Sequence, residues 1–179
     1  TGGTSLGTKL SGAIGAELAG VDLTNNLSEE ILVSINEHLV KHEVVFFRDQ
    51  DISWEQHVKL GKFFGPLQSH PAYNSPPNYP EITILESTKD NPSKIECWHT
   101  DMTFLKNPPL CSILRSKICP SKGGDTMWSS MTAAYESLSE SMKNFLKNLT
   151  AEHDFCHGFK ESIAEPGGRE RLKDAIKNN

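Results

Sequence analysis

Apolar positions recur at helical spacing in two stretches of the N-terminal half of the chain. The first stretch covers residues 27–42, and Ser28 stands where an N-cap would accept the first free backbone N–H groups. The second begins at Ser53, because Gln56 three residues later completes a capping box, and it ends at the Gly-Pro pair 65–66. The pattern therefore predicts two amphipathic helices.

The same pattern continues into the C-terminal half with less regularity. A helix is predicted over 132–149, with a break near Ser139, and a last, polar helix over 167–177. Between the first two helices, the short β-branched run 44–47 predicts a buried strand.

Further apolar runs, bounded by turn residues, predict a β-rich region. The predicted strands are 82–85, 97–104, 110–118, 125–128 and 151–155. Turns separate these runs, whereas a parallel doubly wound sheet needs crossover helices between its strands. The sequence therefore predicts an α+β, β-rich fold, a sandwich or jelly roll with helices packed outside.

Composition narrows the class of protein. The 179 residues, 36% hydrophobic and 23% charged, suit one folded domain over 1–179. The net charge of −5 argues against a nucleic-acid partner, and no apolar run is long enough to span a membrane. The four cysteines form no CxxC pair, which favours reduced thiols and a cytoplasmic protein. Whether the chain forms a homo-oligomer stays open.

The triplet His99-Thr100-Asp101 carries the candidate chemistry. In a strand, residues two apart point to the same face, so the His99 imidazole and the Asp101 carboxylate would aim at one point. One nitrogen ligand and one carboxylate are two of the three ligands in the facial triad of non-haem Fe(II) oxygenases. The triplet alone more often indicates a structural hydrogen bond between the two side chains than a metal site.

The sequence on both sides of this triplet resembles the taurine dioxygenase family. The resemblance covers nearly the whole chain, and the matching segments follow the family's order. The matching segments are Trp98-His99-Thr100-Asp101, Pro108-Pro109, Lys122-Gly123-Gly124-Asp125-Thr126, His42-Glu43-Val44-Val45-Phe46-Phe47-Arg48-Asp49-Gln50, Phe64-Gly65-Pro66-Leu67, Ala133-Ala134-Tyr135-Glu136 and Ala151-Glu152-His153-Asp154-Phe155.

That resemblance implies a double-stranded β-helix, or jelly roll, and an Fe(II)- and 2-oxoglutarate-dependent dioxygenase that uses O₂. It implies that His99 and Asp101 are catalytic iron ligands and that Thr126 contacts the 2-oxoglutarate cosubstrate. The third iron ligand, a His, and an Arg for the cosubstrate carboxylate are expected beyond Asn179. The dioxygenase domain is therefore expected to be truncated before its distal ligand.

The resemblance also implies a substrate site at His70, Tyr73 and Phe159. The implied reaction is hydroxylation of a small sulfonate such as taurine, with release of sulfite, aldehyde, succinate and CO₂. Two positions depart from the taurine-acting member of the family, because Ile95 replaces an Asn and Gly158 replaces a Ser. An Ile cannot accept a hydrogen bond from the taurine ammonium group.

Two alternatives to a taurine dioxygenase remain at this point. One is the same chemistry on an alkyl sulfate or on another small organic acid, such as an aryloxyalkanoate. The other is a non-catalytic, degenerate member of the family that lacks the distal His.

Overall fold

The computed structural model of the chain describes residues 7–10, 12–90, 92–93, 95 and 97–178. The chain divides into two compact units. Unit 1 comprises the described residues of Thr1–Gln56 and Leu114–Thr150, and unit 2 those of His57–Ile113 and Ala151–Asn179.

Unit 1 contains a small three-stranded sheet. Its strands are β1 (Gly7–Lys9), β2 (Ala16–Leu18) and β3 (Val45–Phe46), in the order β1-β2-β3. β1 pairs antiparallel with β2, and β2 pairs parallel with β3. A parallel pair needs a crossover connection, which helix α1 (Glu29–His42) supplies between β2 and β3. β3 confirms the strand predicted over 44–47.

The predicted helix starts are confirmed by their capping contacts. Ser28 accepts a hydrogen bond from the backbone N–H of Ile31 at the start of α1. Before helix α2 (Trp54–Phe64), the Ser53 N–H donates to Gln56 Oε1 at 2.7 Å, and the Gln56 N–H donates to Ser53 Oγ at 3.1 Å. These reciprocal bonds satisfy N–H groups that a helix leaves without partners.

The helix predicted over 132–149 is broken, as expected, near Ser139. Unit 1 contains α3 (Met131–Glu136) and α4 (Glu140–Leu146) in its place. Ser139 is the N-cap of α4 and accepts from the Met142 N–H. A new N-cap inside an apolar pattern therefore starts a second helix.

Unit 2 is built around a small apolar core at its C-terminal helices. These are α5 (Phe155–Gly158), α6 (Lys160–Ala164), α7 (Gly168–Arg171) and α8 (Lys173–Asn178). Phe155, Leu172 and Ala175 are buried, and the partly buried residues Ala72, Phe104, Phe159, Ile163 and Ile176 pack against them. The polar helix predicted over 167–177 is thus two short helices that meet at the buried Leu172.

The strands predicted at 82–85, 97–104, 110–118, 125–128 and 151–155 are wrong, because none is a strand in the structure. Among the described residues, strand pairing is confined to β1, β2 and β3. The run 97–104 turns instead: Met102 has a φ of 53°, and the Leu105 N–H donates to the Met102 carbonyl at 3.1 Å. An apolar run becomes a strand only where a partner supplies ladder hydrogen bonds.

Two further expectations from the sequence, on membrane spans and on the cysteines, can be compared with the structure. Within the described ranges, no helix is both long enough and apolar enough to cross a membrane. All four cysteines are free thiols.

Candidate active site

His99 and Asp101 lie close together in unit 2, although their segment turns and is not a strand. His99 Nε2 is 3.2 Å from Asp101 Oδ1. The His99 Nδ1 atom lies 2.9 Å from the Cys97 carbonyl oxygen, to which it must donate because a carbonyl only accepts. In a neutral imidazole, Nε2 then carries a lone pair beside the carboxylate.

This separation suits a shared cation. Two ligands about 2.1 Å from a metal ion and at right angles to each other are about 3.0 Å apart. The side chains are roughly half exposed, at 52% and 58%, so the space in front of them is accessible. A protonated imidazole would make the same contact as an ion pair, which is the structural alternative.

The described residues offer two metal ligands at this point and not three. Among them, no group of three His, Cys, Asp or Glu side chains is placed to hold a metal ion. His153, which follows Asp101 in the sequence, is engaged elsewhere, since its Nδ1 lies 2.8 Å from Thr103 Oγ1. His99 and Asp101 therefore fit two positions of a facial triad.

The three predicted substrate residues come together in unit 2. The ring centroids of His70 and Tyr73 are 4.6 Å apart, and those of His70 and Phe159 are 5.4 Å apart. Tyr73 and Phe159 complete the triangle at 6.5 Å. We call these three side chains the aromatic cluster.

The hydrogen bonding of His70 defines its neutral form. The Ala72 backbone N–H donates to His70 Nδ1 at 3.1 Å, so the proton of the neutral ring sits on Nε2. Burial lowers the pKa of His70, and the negative charge of Asp101 opposes this in part. His70 is therefore a neutral N–H donor at neutral pH, which suits an oxyanion.

The pKa of Tyr73 is shifted by the same two influences, burial and the charge of Asp101. Burial raises the pKa of the Tyr73 hydroxyl, and the Asp101 carboxylate raises it further. Because Asp101 acts on both His70 and Tyr73, the aromatic cluster lies within electrostatic reach of the His99–Asp101 pair.

The C-terminal helices hold the aromatic cluster in place. Phe159 and Ala72, which directly precedes Tyr73, both pack against the core formed by Phe155, Leu172 and Ala175. Arg171 Nη1 also donates to the Ala72 carbonyl at 3.4 Å. Sequence reasoning missed Arg171 and Leu172, because the polar composition of 161–177 indicated a solvated face or a flexible lid.

Thr126, the predicted cosubstrate residue, lies exposed in unit 1. It follows the predicted tight turn at Gly123 and Gly124, which have φ values of 74° and 71°. Only glycine adopts two such left-handed conformations in succession at little energetic expense. The role of Thr126 toward 2-oxoglutarate stays a prediction.

The two positions that depart from the taurine-acting member lie in unit 2. Ile95 is 53% exposed. Gly158 ends α5, and a Cβ atom added there would meet no atom within 4 Å. The absence of a side chain at position 158 is therefore not required by packing within the described residues.

Comparison with known proteins adds an independent line of support. Residues 6–178 match the family described as taurine catabolism dioxygenase TauD, TfdA family. An alkylsulfatase of Acinetobacter baylyi is 37% identical over 92% of this chain and 52% of its own length. An α-ketoglutarate-dependent sulfate ester dioxygenase of Pseudomonas putida is 34% identical over 80% of this chain and 48% of its own length.

Comparison with solved structures supports the same family. The crystal structure of a taurine dioxygenase from Burkholderia xenovorans superposes with a TM-score of 0.72 at 39% identity, covering 83% of this chain and 53% of that one. The chain spans about half the length of the curated relatives that it matches.

Proposed function

The chain belongs to the TauD, TfdA family of dioxygenases, and we propose that it acts in an Fe(II)- and 2-oxoglutarate-dependent dioxygenase with a jelly-roll fold. The observation that carries the proposal is the His99–Asp101 pair, whose Nε2 and Oδ1 atoms are 3.2 Å apart. The aromatic cluster within electrostatic reach of this pair adds a place for a substrate.

In this proposal, His99 Nε2 and Asp101 Oδ1 would hold Fe(II). The Cys97 carbonyl keeps the imidazole in the tautomer that leaves Nε2 free to bind the metal. Bound Fe(II), with 2-oxoglutarate and O₂, supplies the oxidising chemistry that hydroxylates a C–H bond. Thr126 donates its hydroxyl to a carboxylate of 2-oxoglutarate, as the family resemblance implies.

The aromatic cluster orients the substrate beside this metal site. His70 Nε2–H donates to the anionic head of the substrate, since Nδ1 is occupied by the Ala72 N–H. The rings of Tyr73 and Phe159 flank His70, with centroids 4.6 Å and 5.4 Å from the centroid of its ring, and offer apolar surface beside the head group.

We propose that the substrate is a sulfate ester, or a sulfonate with an apolar tail, in preference to taurine. Ile95 offers no hydrogen-bond acceptor to an ammonium group, whereas the Asn of the taurine-acting member does. The relatives named alkylsulfatase and sulfate ester dioxygenase support a sulfate ester.

Succinate formation from 2-oxoglutarate tests the proposal in the full-length protein. The substrate panel contains a linear alkyl sulfate, an alkanesulfonate of matching length without an amino group, taurine and an aryloxyalkanoate, and sulfate and sulfite release are measured in parallel. We expect turnover with the alkyl sulfate or the alkanesulfonate, and none in His99→Ala or Asp101→Ala. Full activity in either variant would refute the iron site, and a strong preference for taurine would refute the substrate assignment alone.

A further inference from the structure

The two carboxylate oxygens of Asp101 contact different side chains. Oδ1 faces His99 Nε2 at 3.2 Å. Oδ2 accepts a hydrogen bond from Ser112 Oγ, also at 3.2 Å. We propose that Ser112 is a positioning residue that sets the orientation of the Asp101 carboxylate for metal binding, an inference that rests on the proposed function.

The physical need for such a contact follows from the torsional freedom of Asp101. Rotation of an aspartate carboxylate about its last bond is governed by a broad, roughly two-fold torsion. Asp101 is 58% exposed, so packing alone does not fix this rotation. The bond from Ser112 restrains Oδ2 and thereby directs Oδ1 toward the point that it shares with His99.

The same arrangement is present at the other ligand. His99 binds outward through Nδ1 to the Cys97 carbonyl and keeps Nε2 for the metal. Each ligand thus makes one outward hydrogen bond and keeps one atom free, as is typical of metal sites. A purely structural pair of side chains would not require both outward bonds.

Ser112 is not interchangeable with Thr103, another hydroxyl close to Asp101 in the sequence. Thr103 lies only two residues away, but its hydroxyl is engaged with His153 Nδ1 at 2.8 Å. The turn after Asp101 brings the chain back, so that a residue eleven positions later supplies the donor. No sequence motif indicates this contact.

Metal affinity tests the inference without recourse to turnover. Mn(II), a stand-in for Fe(II) that is stable in air, is titrated calorimetrically into the full-length wild type and four variants. Ser112→Ala removes the donor, whereas Ser112→Thr retains a hydroxyl at the same position. Ser116→Ala removes a hydroxyl of the same segment whose partner is Cys119, and His99→Ala removes a ligand.

We expect Ser112→Ala to raise the Kd for Mn(II) by about 10- to 100-fold, the range typical when such an outer contact of a metal ligand is lost. Ser112→Thr and Ser116→Ala should bind like the wild type. Unchanged affinity in Ser112→Ala, together with weakened binding in His99→Ala, would overturn the role of Ser112 alone. Binding that is absent in the wild type, or unaffected by His99→Ala, would overturn the metal site itself.

Discussion

Leu172 supports both the core of unit 2 and the aromatic cluster, which is the proposed substrate site. It is 1% exposed and forms the core with Phe155 and Ala175. Ala72 and Phe159 pack against this core. Truncation in Leu172→Ala should therefore destabilise unit 2 and loosen the aromatic cluster at the same time.

The expected loss follows from the atoms removed. The substitution deletes three carbon atoms from a fully buried site, and at about 0.8 kcal/mol for each buried carbon the transfer term is about 2.4 kcal/mol. Incomplete collapse of the resulting cavity adds to this, which brings the expected loss to about 3 kcal/mol, within the usual range for Leu→Ala.

Urea denaturation of the full-length protein measures the change in unfolding free energy, with Leu85→Ala as the matched control. Leu85 belongs to the same unit but is 56% exposed, so its truncation should alter stability by no more than about 0.5 kcal/mol. Leu172→Ala should also raise the half-saturating substrate concentration, because the segment that carries His70 loses its support. Equal stability of the two variants would show that Leu172 is not a core residue, and the reasoning would fail.

Three further predictions concern other parts of the chain. Thr126→Val keeps the side-chain shape but removes the hydroxyl, and it should weaken 2-oxoglutarate binding by about 1–3 kcal/mol; an unchanged half-saturation for 2-oxoglutarate would exclude Thr126 from the site. Ile95→Asn restores an acceptor and should shift the ratio of kcat/KM values toward taurine over an alkanesulfonate of similar length, whereas a constant ratio would remove Ile95 from the pocket. Ser28→Ala removes the N-cap of α1 and should lower the unfolding free energy by about 1 kcal/mol, and a stability equal to wild type in urea denaturation would contradict the capping role.

The helices could be predicted from sequence because their signals are local. The caps at Ser28, Ser53 and Ser139 act within three residues, so the printed sequence contains both partners of each hydrogen bond. The strands could not be predicted in the same way, because an apolar run does not specify its pairing partner. The segment 97–104 turns at Met102, where a φ of 53° is outside what alternation of polar and apolar residues can indicate.

The candidate site shows the same difference between local contacts, which the sequence can indicate, and long-range contacts, which it cannot. The proximity of His99 and Asp101 was predicted from their spacing, although the strand geometry used to predict it is absent and the segment turns instead. Ser112 and Arg171 act across 11 and 99 residues, respectively, and neither belongs to a recognisable motif. Long-range contacts of single polar side chains are set by tertiary packing, which periodicity does not encode.

The closeness of His99 and Asp101 in the chain has a consequence for the order of folding. The entropy lost on closing a loop grows with the number of residues it contains, and a single residue separates these two ligands. The pair can therefore form as a local chelate while the rest of the chain is still disordered. His70 and Phe159 lie at positions 70 and 159, so their contact closes a far longer loop and must await the docking of α5 to α8. In the proposed enzyme, a metal ion would thus find its first two ligands early in folding, whereas the proposed substrate site would be completed late.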